Sequence, residues 1–256
     1  MVNGTAGPSF VSNALQKASE DPQSCWYTEE EVMNTAASMQ EAGQDTTHAA
    51  LLSFVLAMVL HPECQVKARE EIDRVVGSER LPAFGDRPSL SYVEAIMQEV
   101  LRWQPVGPTG VPHYTQVEDR YRGYRIPKDT TVLPNVWAIF HDEKMYPDPY
   151  TFNPDRWLKD GKINSEVRDV TSGFGFGRRI CPGKQLAMST IYFTFATILA
   201  AFDISKAVDE NGQVIEPDVK FTSNNLNNRP ESFKCSIKPR SAVHERLARE
   251  AVEDIL

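Results

Sequence analysis

The chain has 256 residues, 41% hydrophobic and 24% charged, with 27 Lys+Arg against 35 Asp+Glu. That apolar fraction excludes disorder and suits one large domain or two small ones, while a net charge of −8 excludes a general nucleic-acid binder, which needs a basic field. The cysteines, at 25, 64, 181 and 235, form no Cys-x-x-Cys pair, which excludes a zinc framework and a disulfide scaffold and predicts reduced thiols.

Residues 1–9 carry no basic charge and lead into no apolar run, so no signal peptide is predicted. Thr28 followed by Glu31 reads as a capping box. The helix it opens meets no proline before Pro62, giving a rod of about 32 residues and about 48 Å, with no coiled-coil heptad. Its uncharged stretch at 49–60 is too short to cross a bilayer. A second helix is predicted from about Glu63 to Val76, with Gly77 at the position after its C-cap. A third runs from about Leu90 to Trp103, its apolar face supplied by Tyr92 or Val93, Ile96, Met97, Val100 and Leu101, and stops before Pro105.

Residues 109–160 read as extended and loop-rich. Within them Tyr121-Arg-Gly-Tyr-Arg-Ile126 is predicted as one strand, Pro127-Lys128-Asp129 as a turn and Thr130-Thr-Val-Leu133 as the next strand. The uncharged run at 185–202 reaches membrane-span length, but Thr190, Thr194 and Thr197 at helical spacing make it a buried core helix instead. Asn211-Gly212 marks a hairpin, and Phe233, Cys235 and Ile237 alternate as one face of a strand. The expected fold class is therefore mostly α with minor β (α+β), arranged as a lead-in at 1–25, a main domain at 26–240 and a helical tail at 241–256.

The strongest local signal is Phe174-Gly-Phe-Gly-Arg-Arg-Ile-Cys-Pro-Gly183. A phosphate-binding loop fails here, because Gly183-Lys184 is followed by Gln185 and no strand-to-helix Gly-x-Gly-x-x-Gly is present. The segment places one cysteine in a glycine-rich bend just before a helix. Close backbone N–H groups and the helix N-terminus both favour a thiolate at Cys181. A structural cysteine at a turn, and a nucleophilic cysteine with a histidine partner, are the competing readings.

Three further segments are individually unremarkable. Ala42-Gly-Gln-Asp-Thr-Thr47 sits mid-helix, where Gly43 costs about 1 kcal/mol against alanine; the Thr46 hydroxyl can bond the Ala42 carbonyl and open the helix locally. Glu99 and Arg102, three apart, read as an ordinary surface ion pair. Phe152-Asn-Pro-Asp-Arg-Trp157 reads as a turn.

Taken in this order and spacing, the four segments resemble the cytochrome P-450 family of heme-thiolate monooxygenases. Its pattern Phe-x-x-Gly-x-Arg-x-Cys-x-Gly is filled by Phe174, Gly177, Arg179, Cys181 and Gly183. Its oxygen-activating helix motif is matched by Ala42, Gly43, Asp45, Thr46 and Thr47, its Glu-x-x-Arg by Glu99 and Arg102, and its Pro-x-Arg-aromatic arginine by Arg156. Arg80-Leu-Pro and Pro112-His113 are similar to the eukaryotic microsomal class, and a fungal member is expected. The likeness runs from about residue 26 to 240 and covers the latter part of the family's fold, with nothing matching its amino-terminal half.

The resemblance implies heme b (iron protoporphyrin IX), with Cys181 as the axial iron ligand. Arg179 and His113 would hold the propionates, and Phe174 would pack beside the cysteine loop and limit its access to solvent. Glu99, Arg102 and Arg156 would form a buried charge triad, and Asp45 and Thr46 would deliver protons to bound dioxygen. Implied partners are dioxygen, a small apolar organic substrate facing residues 106–111, and an NADPH-cytochrome reductase on the cytosolic face of the endoplasmic reticulum membrane. No nucleic acid is implied, and no membrane span within this chain. Between 172 and 201 the only charges are Arg178, Arg179 and Lys184, which makes Arg178 and Lys184 candidates for docking an acidic reductase. The competing functions are a truncated, non-catalytic heme-binding fragment and a cysteine hydrolase, the latter without any local His-Cys signature.

Overall fold

The amino-terminal helices are set by caps and by proline. In the computed structural model, which describes residues 7–21, 25–224 and 227–253, helix α1 (Phe10–Glu20) lies inside the lead-in, where no helix is predicted. Ser9 and Ser12 cap it reciprocally, Ser12 N donating to Ser9 Oγ and Ser9 N to Ser12 Oγ. Helix α2 (Glu29–Leu60) has the expected length of 32 residues. Thr28 N donates to the Glu31 carboxylate at 2.7 Å and Glu31 N to Thr28 Oγ1 at 3.2 Å, which closes the capping box. The Thr28 N–H holds the Glu31 carboxyl below the usual range. The chain divides into two compact units, Met1–Thr46 and Thr47–Leu256, the boundary falling within α2.

In the second unit Pro62 ends one ladder and starts the next, since its fixed φ suits a first helical position. Helix α3 (Pro62–Val75) follows and is stopped at Gly77, whose φ of 81° only glycine adopts freely. Helix α4 (Ser91–Trp103) is predicted with one apolar face, yet from Tyr92 onward every residue except Glu94 is buried. The reason is packing on several sides: α3, two 3₁₀ turns at Pro154–Trp157 and Val170–Phe174, and a later helix all lie against it. After the five-residue helix α5 (Val136–Phe140), that later helix, α6 (Lys184–Ala201), buries Ile191, Tyr192, Phe195 and Leu199. Phe195 stacks on Phe54 with ring centres 3.8 Å apart. Thr194 satisfies its hydroxyl within the helix by donating to Thr190 O. Among the described residues no single helix is long and apolar enough to cross a membrane.

Among the described residues the strands form two-stranded sheets. Strands β1 (His113–Tyr114), β2 (Asp119–Tyr121), β3 (Tyr124–Ile126) and β4 (Thr131–Val132) pair as β1 with β4 and β2 with β3. This corrects the predicted single strand over residues 121–126. Arg122 and Gly123 both have positive φ, 50° and 86°, the geometry of a two-residue turn that matches strand twist, so the chain reverses there. The expected turn after Ile126 is also present, with Asp129 at a φ of 60°. Strands β5 (Leu158–Lys159) and β6 (Lys162–Ile163) reverse the same way at Asp160-Gly161. Strand β7 (Phe202–Lys206) precedes the Asn211-Gly212 hairpin, which closes through a Val208–Val214 bridge. Strands β8 (Phe221–Asn224) and β9 (Asn227–Pro230) pair with each other, and β10 (Cys235–Pro239) pairs with β7. Phe233 lies just before β10 yet packs against the core with Cys235, while Ile237 is 49% exposed, so the expected alternating face holds at its first two positions and not at the third. Helix α7 (Ala242–Glu253) occupies the tail.

The outer edge of β7 is covered by side chains of α3. Gln65 Nε2 donates to Ile204 O and Ile204 N donates to Gln65 Oε1, both at 2.9 Å, while Arg69 donates to Phe202 O. Gln65 is buried, so its loss strands two backbone groups away from water. Gln65→Leu is expected to lower unfolding free energy by about 2–4 kcal/mol, measured by urea titration, because each unsatisfied buried group costs about 1–3 kcal/mol.

Candidate functional site

The cysteine segment folds as two short turns joined by glycine. The 3₁₀ turn Val170–Phe174 is capped by Asp169, whose carboxylate accepts from Thr171 N. Gly175 follows with φ of 89°, a backbone angle that calls for glycine, while a side chain there would begin an ordinary 3.6 Å from Arg179 O. A second turn at Gly177–Arg179 brings Cys181 N to donate to Phe174 O at 2.8 Å. Pro182 and Gly183 then lead into α6, with Lys184 N donating to Cys181 O. Cys181 is a free, exposed cysteine at the head of an 18-residue helix, where the helix dipole favours an anion. Phe174 meets it through its backbone carbonyl. Phe176, Ile180 and Leu186 are exposed apolar neighbours in sequence, Leu186 by 71%. Among the described residues Arg178, Arg179 and Lys184 make no ion pair.

Behind this loop lies a charge cluster that three-residue spacing alone would place on the surface. Glu99 and Arg102 are 0% exposed and Arg156 8%. Glu99 Oε2 accepts from Arg102 Nε and Trp157 Nε1, and Oε1 from Arg102 Nη2, Asn153 N and Arg156 Nε, at 2.8–3.2 Å. The second arginine leaves an excess positive charge, which is met by carbonyls: Arg102 donates to Phe140 O and Pro149 O, Arg156 to Pro147 O and Asp148 O. Presenting consecutive carbonyls bends the loop enough that Asp148 takes a φ of 50°, a region aspartate tolerates better than most residues.

The remaining sequence candidates are distributed as follows. Ala42, Gly43, Asp45 and Thr46 lie on α2 in the first unit; Thr47 opens the second. Thr46 Oγ1 donates to Ala42 O at 2.8 Å, yet the helix continues unbroken through it. In the second unit, contacts join Glu99, Arg102 and Arg156 to one another and Phe174 to Cys181. His113 and Arg179 are exposed. The 106–111 segment is tied to β9 by Asn228, whose N–H donates to Val106 O and whose amide donates to Gln104 Oε1.

Sequence reasoning missed Trp157, Asn153, Tyr146 and Asn228 as parts of this architecture. The available signal for the first three is Pro147-Asp-Pro149, two prolines that fix a loop beside the Phe152–Trp157 segment. No local signal marks Asn228.

His141 extends the cluster. It is buried, stacks on Trp137 at 3.8 Å and donates from Nδ1 to Trp137 O. Burial, aided by the Arg102 charge, holds it below the ordinary histidine range despite that bond. A depressed histidine binds its proton less tightly folded than unfolded, so its contribution is full above about pH 6.5 and is lost as pH falls below that value. His141→Gln is expected to flatten the fall in melting temperature between about pH 6.5 and 5; an unchanged slope would count against it. Glu99→Gln leaves two buried guanidinium groups short of their counter-charge and is expected to cost about 3–5 kcal/mol in denaturant unfolding.

Comparison with known proteins gives one consistent answer. A family model for cytochrome P-450 matches residues 6–230. The cytochrome P-450 monooxygenase claR of Ampulloclitocybe clavipes is 46% identical over 98% of this chain and 46% of its own length. Cytochrome P-450 monooxygenase 98 of Postia placenta is 44% identical over 96% of this chain and 48% of its own. A solved zebrafish cytochrome P-450 structure with abiraterone superposes with a TM-score of 0.73 at 32% identity, over 84% of this chain and 48% of the other. The chain thus spans about half the length of the curated relatives it matches.

Proposed function

The chain belongs to the cytochrome P-450 family, and on that premise we propose that it carries the thiolate-side part of a heme-dependent monooxygenase. The observation that carries this reading is Cys181, an exposed sulfur offered at the head of α6 by a glycine-bent turn. Its surroundings suit a flat apolar group bearing carboxylates: exposed Phe176, Ile180 and Leu186 supply apolar surface, and Arg179 is an exposed cation without an ion pair among the described residues. Cys181 would bind heme b as thiolate, with Arg179 and His113 holding the propionates through charge-assisted bonds. When bound, the heme supplies the dioxygen and electron chemistry, and sulfur ligation favours O–O cleavage, as is known for this family.

The chain's own residues take the remaining roles. Glu99, Arg102 and Arg156 hold the loops behind the cysteine. Thr46 spends its hydroxyl proton on Ala42 O, which leaves its oxygen lone pairs to accept, and Asp45 beside it is an exposed carboxylate. Together they are suited to hold and pass protons. The net reaction places one oxygen atom in a C–H bond of an apolar substrate and the other in water. Electrons come from NADPH through a reductase at the endoplasmic reticulum surface. Exposed Arg178 and half-buried Lys184 favour an acidic partner on the cysteine side.

Cys181→Ser is expected to abolish the red-shifted Soret band of the reduced carbon-monoxide complex in the heme-loaded chain, since serine is a poor, largely protonated ligand. An unchanged band would sink the assignment. Reversing the residues equivalent to Arg178 and Lys184 to Glu in a full-length relative is expected to slow reductase-driven reduction most at low ionic strength, with dithionite reduction unchanged.

A further inference from the structure

The charge cluster and the cysteine turn share no direct hydrogen bond among the described residues, so something must connect them. Besides Gln98, whose amide oxygen accepts from Val170 N at 3.4 Å, two side chains reach across. Tyr146 is fully buried, sits with its ring 5.6 Å from the Arg102 guanidinium, packs against Trp157, and donates its hydroxyl to Arg168 O at 2.7 Å. Phe140 gives its carbonyl to Arg102, and its ring stands 3.3 Å from where a side chain on Gly173 would begin. Both arrive at the same place. Arg168 immediately precedes Asp169, the cap of the Val170–Phe174 turn, and the last residue of that turn supplies the carbonyl that receives Cys181 N.

We propose that Tyr146 is a positioning residue for Cys181: its hydroxyl fixes the entry to the Val170–Phe174 turn against the Glu99–Arg102 cluster, and the turn's exit sets the cysteine. Burial pushes the phenol up to about 12, so it keeps its proton, and its role as a donor, at neutral pH. The inference rests on Cys181 being the working group of the proposed function, and it is tested first without heme.

Tyr146→Phe removes one oxygen and keeps the ring. In the whole heme-free chain, native-state amide exchange at Cys181 is expected to quicken about fivefold, the scale of one lost hydrogen bond. The control is Arg240→Gln, which loses the Asp73 ion pair and the Ala200 carbonyl contact at the far end of α6. It should lower the melting temperature and leave Cys181 exchange at the parent rate. After heme loading, Tyr146→Phe should show a smaller fraction of the red-shifted carbon-monoxide band than the parent. Cys181 exchange equal to the parent overturns the proposal. So does equal acceleration in both variants, or faster exchange with an unchanged band. A parent with no red-shifted band would sink the heme reading, while the exchange comparison would still decide the role of Tyr146.

Discussion

One buried carboxylate organises the second unit. Taking a charge from water costs several kcal/mol, and attraction to a partner recovers that only when every lone pair and proton is satisfied. Glu99 meets the condition with five N–H donors from α4, from the turn carrying Arg156 and Trp157, and from the backbone of Asn153. The arginines then impose the same condition on their surroundings and draw in the carbonyls of α5 and of the Pro147–Pro149 loop. Elements far apart in sequence are therefore held by donor geometry, which is more exacting than apolar contact. That need also explains why α4 is buried nearly all round: an ion pair at solvent would gather nothing.

Local features were legible from residue spacing and tertiary ones were not. The capping box at Thr28 and Glu31, the proline at 62 and the glycine at 77 act through neighbours a few residues away, so their effects follow from spacing. The reversal at Arg122-Gly123 was also local, but the run around it has the look of a strand, and only the pair of positive φ angles reveals the turn. The burial of Glu99 and Arg102 cannot be read from three-residue spacing, since the same spacing serves exposed helix pairs. Motif resemblance anticipated the grouping with Arg156 because it carries tertiary information that periodicity lacks. Asn228 escaped both routes: its partner Gln104 lies 124 positions away and neither belongs to a quoted motif.

The cysteine turn shows how backbone constraints leave a side chain available. Its glycine, its capped first turn and the bond from Cys181 N to Phe174 O occupy local backbone groups and leave the sulfur without a hydrogen-bond donor among the described residues. A thiol spent on a nearby carbonyl, as Cys25 is on Tyr27 O, is far less ready to meet a ligand.

The contact between Gln65 and Ile204 bears on how this chain meets other chains. A two-stranded sheet has two open edges, each a template for a strand from another molecule. On β7 one edge is taken by β10, and on the other a single side-chain amide imitates an incoming peptide group, offering one donor and one acceptor to the same residue. Arg69 occupies the next outward carbonyl, at Phe202. Because the blocking groups come from a helix, the sheet cannot be extended there without first displacing α3, so this edge is closed to recruitment into intermolecular β-structure for as long as the helix stays docked.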